Sequence, residues 1–276
     1  MIFSNLGAVY LGLGDYEKAK ENLTHALEIT KEHFGEDHSQ MGMIFSNLGA
    51  VFIGLGDYEK AKKYLIHGLE ITKKHFGKDH PQIAFALRKL GDAYGSLGNH
   101  KKQKDLLLRA LEIEEKHYGG DHLEIGITLN NLGNAYGSLG DYEKQKNLLL
   151  RALEIKKRHL GKEHPRIAFA LRNLGNAYGS LGNHKKRKDL LLRALEIREK
   201  HYGEEHIELS NTLFNLSNAY RSLGDYEKQK DFLLRDLEIK EKHFGKDHPE
   251  TGITLTNLQF GILPKSTRCI IKSFRN

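Results

Sequence analysis

The sequence MIFSNLGAV occupies residues 1–9 and recurs letter for letter at residues 43–51. The same 42-residue period continues without insertion along the chain. A fixed period of 20–50 residues is typical of an array of small structural repeats rather than of a globular domain. We therefore predict a repeat array over residues 1–258. Its units are residues 1–42, 43–84, 85–126, 127–168, 169–210 and 211–252, and a seventh unit starts at 253–258.

Within each unit, the apolar spacing predicts two helices, because it follows one helical face and not the alternation of a strand. In the fourth unit the second helix is expected to end near His159, before Gly161, and the next first helix to span residues 165–181. Gly140 suits a left-handed helix end, and Asp141 suits the cap of the helix that follows. Asp37 with Gln40, and Asp247 with Glu250, have the spacing of a capping box.

Composition excludes several classes of protein. No stretch approaches 18 consecutive apolar residues, so a membrane-spanning helix is not expected. The single cysteine, Cys269, excludes an intrachain disulfide framework and indicates a reduced, cytoplasmic protein. The formal net charge of +7 permits acidic partners but does not demand nucleic acid.

The spacing of Leu129, Leu132, Gly133 and Tyr136 resembles the first helix of a tetratricopeptide repeat. Leu149 and Ala152 fall where the second helix of that motif carries a large and a small residue. The 42-residue period and the Gly-x-Asp-His-Pro linker are similar to repeats of the kinesin-light-chain type. The resemblance implies an all-α, right-handed superhelix of about six helix–turn–helix repeats. It also implies a non-catalytic, protein-binding role.

Several residues depart from that pattern. A small residue is expected early in the second helix, but Gln103, Gln145, Arg187 and Gln229 replace it in the later units, which predicts looser packing there. Asp236 replaces an alanine at a close helix contact, and an unpaired buried carboxylate would weaken the sixth unit. Residues 259–276 match no repeat, so we interpret them as a poorly ordered or truncated tail and the chain as a piece of a longer repeat protein.

The sequence contains no recognisable catalytic or metal-binding motif. Twelve of the 16 histidines lie in the six linkers, but they are spread along the array and do not form a ligand set, so no metal or other cofactor is expected. The string of residues 133–140 lacks the Gly-Lys-Ser/Thr ending of a phosphate loop. No nucleophile and base can be paired, so the sequence predicts neither an enzyme nor a small-molecule substrate.

Positions 4 and 8 of each unit lie one turn apart on the first helix and, by the resemblance, face a concave groove. Asparagine can bond a peptide backbone, and arginine can bind a carboxylate. We therefore predict that an extended, acidic peptide binds there. Arg88 is expected to pair partly with Asp92, and Asn131, Asn173 and Asn215 to contact the adjacent repeat. The predicted groove residues are Arg88, Asn130, Asn134, Arg172, Asn176 and Asn218.

Two other interpretations remain open. The array could be a spacer that binds nothing itself within a larger protein. Alternatively, the basic runs at residues 100–104 and 184–188 could bind nucleic acid or another anionic partner. Short basic runs are weak signals of this kind, and no aromatic residues interleave with them for base stacking. A protein or peptide partner is therefore preferred to nucleic acid or a membrane.

Overall fold

The computed structural model describes residues 2–262, and over that range the chain is helical without a β-strand. This confirms the all-α prediction. Thirteen α-helices and one short 3-10 turn occur in the described part: α1 Ile2–Leu13, α2 Tyr16–Phe34, α3 Ser39–Gly54, α4 Tyr58–Phe76, α5 Pro81–Ser96, α6 His100–Tyr118, α7 Leu123–Ser138, α8 Tyr142–Leu160, α9 Pro165–Ser180, α10 His184–Tyr202, the turn Ile207–Leu209, α11 Ser210–Leu223, α12 Tyr226–Phe244 and α13 Pro249–Ile262.

The chain forms two compact units, residues 1–148 and 149–276, with the boundary inside α8. In the first unit each helix from α1 to α6 contacts the next one, and α1, α3, α5 and α7 also contact one another in order. In the second unit the same succession links α9 to α13. Helix α13 runs through residues 259–262, which the sequence assigned to the tail; the rest of that tail lies outside the described residues.

Small residues allow the two helices of a repeat to approach closely. A Cβ atom added to Gly49 of α3 would lie 2.4 Å from Cγ of Leu65 in α4, so only glycine fits there. Leu107 of α6 packs with Leu132 and Ala135 of α7, and all three are at most 1% exposed. The core of each unit is therefore a continuous row of apolar contacts between successive helices.

At one contact between the two helices of a repeat, the large residue comes from the first helix in some repeats and from the second helix in others. In the second repeat Ile53 of α3 is packed into the cluster that contains Ala61 of α4. In the fourth repeat the order is reversed, because Gln145 lies over Gly137, whose added Cβ would be 2.5 Å from Nε2 of Gln145. Gln103 over Gly95 and Arg187 over Gly179 repeat this arrangement. The prediction of looser packing is wrong at these contacts, because the longer side chain fills the space that glycine leaves.

Both kinds of helix begin at a side-chain cap. Oδ1 of Asp141 accepts the backbone N–H of Lys144 at 3.1 Å, as the sequence predicts. Gly140, just before it, has a φ of 83°, which glycine adopts at no steric cost. The predicted left-handed glycine and the aspartate cap are both confirmed.

The linker caps differ from the prediction. Histidine, and not aspartate, caps α3, α5, α7, α9 and α13: Nδ1 of His38 accepts the backbone N–H of Gln40, for example, and Nδ1 of His248 accepts that of Glu250. In the sixth repeat His206 caps the 3-10 turn that precedes α11. The prediction of capping boxes at Asp37 and Asp247 is therefore wrong, since each aspartate precedes the true capping residue by one position. Asp37 instead forms an ion pair with Lys74.

Linker carboxylates join neighbouring repeats through ion pairs. In the first unit, Asp79 binds Arg109 at 2.6 Å and Lys116 at 2.8 Å. In the second unit Glu163 pairs with Arg193 and lies 3.9 Å from Lys200. These carboxylates are about half exposed, so each pair contributes little alone, but they fix the linker against the following helix.

We expect that His80→Ala will lower the free energy of unfolding by about 0.5–2 kcal/mol, the usual effect of losing an N-cap acceptor. Nδ1 of His80 accepts the backbone N–H of Gln82 at 3.3 Å, and its ring stacks on Phe76. Urea denaturation followed by circular dichroism measures the change. His80→Asn keeps a capping acceptor and is the matched control; equal losses in both variants would contradict the capping role.

Candidate peptide-binding face

The predicted groove residues of the first unit have different environments. Arg88 is 6% exposed and Asn130 is 4% exposed, whereas Asn134 is on the surface. Nη1 of Arg88 lies 3.4 Å from Oε1 of Glu114, and its Nη2 forms an ion pair with Glu124. The charge of Arg88 is thus already balanced by two carboxylates, which leaves little of it for a ligand.

The predicted pairing of Arg88 with Asp92 is wrong, since Arg88 binds Glu114 and Glu124. Asp92 instead accepts a hydrogen bond of 3.0 Å from Nδ2 of Asn131 on the next repeat. Burial raises the pKa of the Asp92 carboxyl, which the nearby Lys89 and Arg88 partly oppose. The expected contact of Asn131 with the adjacent repeat is therefore confirmed.

Glu114 is a buried carboxyl that the sequence analysis did not single out. It is 2% exposed, and Thr128 donates a hydrogen bond of 2.5 Å to its Oε2. Burial raises its pKa to about 7, although the Thr128 hydrogen bond and the Arg88 charge both act in the opposite direction. The first unit therefore holds a closed polar network at this point.

The second unit carries the equivalent arginine, Arg172, in a different setting. Arg198 replaces Glu114 at the corresponding position, and Nη1 of Arg198 lies 3.2 Å from Oε2 of Glu208. No carboxylate pairs with Arg172 in the part of the chain that the structure describes, and its guanidinium lies 4.8 Å from the centre of the Phe169 ring. Burial, followed by the charge of Arg198, lowers the pKa of Arg172, and the charge of Glu208 partly opposes this.

Asn176, one turn after Arg172 on α9, has an unused acceptor. Its Oδ1 is buried, and no group of the described chain bonds to it. Asn215 stands 39 residues further on, the spacing at which Asn131 binds Asp92, but its Nδ2 donates to the carbonyl of Asn211 at 2.7 Å within its own helix. The expected contact of Asn215 with the adjacent repeat is therefore wrong. Asn218 is half-buried on α11.

The two basic runs lie at the start of α6 and α10. Lys101 and Lys185 are exposed in them, while Lys104 and Lys188 lie beside Asp105 and Asp189 at 3.4 and 3.2 Å. Arg187 is turned inward over Gly179 and is half-buried. Each run therefore offers a short row of solvated lysines and not a shaped pocket.

The buried charges at one position of the repeat were missed. That position holds Thr30 and Thr72 in the first two repeats, and charged residues follow: Glu114, Lys156, Arg198 and Lys240. All of them are less than 10% exposed. The sequence does show that this position changes from threonine to charged residues, and that change could have marked it as a buried polar position. No group of three or more metal-ligating side chains lies together within residues 2–262.

Comparison with protein families identifies the repeat. Tetratricopeptide repeat models match residues 1–74, 40–102 and 88–117, and further such models match residues 127–166, 170–208 and 211–250. Among curated proteins, none matches the chain. Over residues 2–262, no helix combines the length and the apolar character that crossing a membrane requires.

Solved structures of similar fold include BtubC (BKLC) from P. vanneervenii, which is 24% identical, with a TM-score of 0.71 over 85% of this chain and 94% of that one. A kinesin-light-chain-like repeat protein of Podosopora anserina is 22% identical, with a TM-score of 0.64 over 75% of this chain and 98% of that one. A Rap protein in complex with competence and sporulation factor is 16% identical, with a TM-score of 0.66 over 94% of this chain and 73% of that one.

Proposed function

Since the chain belongs to the tetratricopeptide repeat family, whose fold is typical of non-catalytic protein-interaction scaffolds, we propose that it binds an extended, acidic peptide of a partner protein. The binding residues are Arg172, Asn176 and Asn218 of the second unit. Asn130 and Asn134 belong to the face proposed in the first unit. Arg88 is buried next to that face and stabilises it through its ion pairs with Glu114 and Glu124. The single cysteine supports a cytoplasmic setting for this binding.

The observation that carries the proposal is the state of Arg172. It is half-buried, it lies against an aromatic ring, and it has a second arginine nearby. The carboxylate whose charge acts on it, Glu208, forms its ion pair with Arg198 and not with Arg172. A half-buried guanidinium gains most from a partner that brings a carboxylate, because arginine presents paired donors in a fixed geometry. A peptide carboxylate would supply the charge that Glu114 supplies to Arg88.

Asn176 adds the backbone contact that an extended peptide needs. A buried acceptor without a partner costs free energy, and a peptide N–H donated to Oδ1 of Asn176 would remove that cost. The side-chain N–H of the same residue can bond a peptide carbonyl. The Rap protein complexed with competence and sporulation factor supports the general idea that this fold holds a ligand.

The two alternatives have less support. A pure spacer would have no use for an unpaired arginine and an unpaired buried acceptor on the same helix. Anionic-partner binding through the basic runs rests on exposed lysines such as Lys101 and Lys185, which are not gathered into a pocket. Both alternatives are outcomes of the binding experiment.

We expect that Arg172→Glu will weaken the binding of acidic peptides by about 10- to 100-fold, because hydrogen bonds to charged groups contribute about 1.5–3 kcal/mol. The measurement is fluorescence polarisation with a library of labelled, extended peptides of defined charge. Binding should also weaken as salt is raised, since the contact is partly exposed.

Lys185→Glu makes the same charge reversal on the basic run and is the matched control. Loss of binding in Arg172→Glu with retention in Lys185→Glu supports the proposal. The opposite result would favour the anionic-partner alternative. Selection of neutral or basic peptides would contradict the preference for acidic peptides, and no binding at all would favour the spacer.

A further inference from the structure

A surface cleft lies in the second unit between the linker that precedes α9 and the end of α10. Its volume is about 660 Å³. Leu160, His164 and Pro165 line one side, and His201 and Tyr202 line the other. Lys162, Glu163 and Arg166 also line it. The cleft therefore combines apolar and aromatic walls with two cations and one carboxylate.

This linker lacks an aromatic ring that other linkers have. In five linkers the aromatic residue that ends the second helix stacks on the capping histidine, with ring centres 4.1–5.0 Å apart. Leu160 takes the place of that aromatic residue before His164. Within the described chain, no ring stacks on His164. The stacked pairs elsewhere are Phe34–His38, Phe76–His80, Tyr118–His122, Tyr202–His206 and Phe244–His248.

The orientation of His164 is nevertheless the same as in the other linkers. Its Nδ1 accepts the backbone N–H of Arg166 at 3.1 Å, which is the bond that His206 and His248 make at 3.2 Å. The imidazole is thus held by the backbone and presents a ring face that an aromatic side chain covers elsewhere. A fixed ring face loses little conformational entropy when a second ring stacks on it.

The charges at the cleft are unbalanced. Neither Lys162 nor Arg166 has a carboxylate partner in the described structure, because Glu163 between them is occupied by Arg193 and Lys200. The charge of Arg166 also lowers the pKa of the nearby Lys156. Where Arg166 stands, the repeats that begin at residues 85, 169 and 211 carry Glu124, Glu208 and Glu250. A ligand with negative charge would reduce the repulsion among these cations.

We propose that this cleft binds an aromatic side chain of a partner polypeptide that stacks on His164, and that Lys162 and Arg166 bind a carboxylate next to that ring in the partner. The occupant follows from two features of the cleft, a missing ring and an excess of positive charge, since Glu163 in its lining is bound to Arg193. Aromatic stacking contributes about 0.5–1.5 kcal/mol beyond the burial of area, so this single contact is weak and serves to select the partner. The site lies at the linker and goes beyond the peptide-binding face of Arg172 and Asn176.

The chain contains no tryptophan, so tryptophan in a peptide is a clean fluorescent probe. The probe is the blocked pentapeptide Gly-Asp-Trp-Asp-Gly, titrated with the full chain and followed by anisotropy. We expect saturable, weak binding, and at least tenfold weaker binding of Gly-Lys-Trp-Lys-Gly. Gly-Asp-Ala-Asp-Gly should fail to compete.

The decisive variant is Leu160→Phe, which places in the linker the ring that Phe76 provides two repeats earlier. It should stack on His164, fill the cleft and reduce the affinity for the probe at least tenfold while circular dichroism stays unchanged. Arg166→Gln should weaken the acidic probe without removing the cleft. Tyr118→Phe, which keeps a stacked ring at another linker, is the control and should bind as the parent does.

Undiminished binding by Leu160→Phe would overturn the proposal, as would equal affinity for the lysine peptide or no binding of the probe. Arg172→Glu separates the two sites. Loss of the probe in Arg172→Glu but not in Leu160→Phe would place the probe on the peptide-binding face, so that the cleft proposal fails and the proposed function stands. If only Leu160→Phe loses binding of the probe, the cleft proposal is supported, whether or not the chain binds the longer acidic peptides of the proposed function.

Discussion

Replacement of Lys240 by methionine should lower the free energy of unfolding by about 3–5 kcal/mol, the range for breaking a buried ion pair by removing one partner. Asp236 is fully buried on α12, and its Oδ2 lies 3.2 Å from Nζ of Lys240 and accepts a hydrogen bond of 2.8 Å from Thr254. Its other oxygen has no partner in the described chain. Without Lys240, the aspartate would keep only the Thr254 hydroxyl.

The matched control is the double variant Asp236→Ala with Lys240→Met. Ala26 and Ala110 occupy the position of Asp236 in other repeats, so alanine fits that contact. Because both charges are removed together, we expect the double variant to recover most of the loss. Urea denaturation followed by circular dichroism measures both. A loss below about 1 kcal/mol in the single variant would show that Asp236 does not depend on Lys240.

The same pair modifies the expectation of a weak sixth repeat. The aspartate at the close helix contact is not isolated, since Lys240 also donates to Thr254 at 3.0 Å and lies 3.6 Å from Glu250 on α13. The sequence could show the unusual aspartate but not its partners, because Lys240 and Thr254 stand four and eighteen residues away on two helices. The remaining free-energy cost of burying this aspartate comes from its Oδ1, which has no hydrogen-bond partner in the described chain.

Lys156→Met should raise the free energy of unfolding at pH 7 by on the order of 3 kcal/mol. Lys156 is 6% exposed, and burial, followed by the charge of Arg166, lowers its pKa from 10.5 to about 8. At about 1.4 kcal/mol per pKa unit, holding the charged form inside the protein costs that amount. Methionine has a similar length and carries no charge.

The pH dependence tests the cause. The pKa of Lys156 is lower in the folded state, so the unfolded state binds more protons between pH 8 and 10.5. The parent protein should therefore gain stability as the pH rises through that window, whereas Lys156→Met should lose this gain. Lys157→Met, next to it but ion-paired with Glu154 at the surface, is the control. A slope that persists in Lys156→Met would exclude Lys156 as its source.

Most of the fold could be predicted, because one 42-residue period fixes the phase of every helix. The expected span of residues 165–181 agrees with α9, Pro165–Ser180, to one residue. The linker cap was assigned to the wrong residue because aspartate is the commoner cap, whereas here histidine adjoins the helix and aspartate serves the neighbouring repeat. The capping rule correctly predicted a side-chain cap at the start of the helix but assigned it to the residue next to the true cap.

The candidate site could be predicted less completely. Spacing put Arg88 and Arg172 at equivalent positions, but it could not show that one is enclosed by carboxylates and the other is not. That difference depends on Glu114 and Arg198, which come from the second helix of each repeat and meet the arginine only in three dimensions. The unused Oδ1 of Asn176 likewise depends on the direction in which Asn215 turns.

The contrast between Arg88 and Arg172 has an evolutionary consequence. The third and fifth repeats are close copies, so both inherited an arginine at the same place. In the third repeat the neighbouring residue is Glu114, and its ion pair makes Arg88 part of the framework. In the fifth repeat that position holds Arg198, and Arg172 forms no ion pair within the described chain. Gene duplication followed by one nearby substitution can therefore turn a residue that holds a fold together into one that is free to acquire a partner outside it.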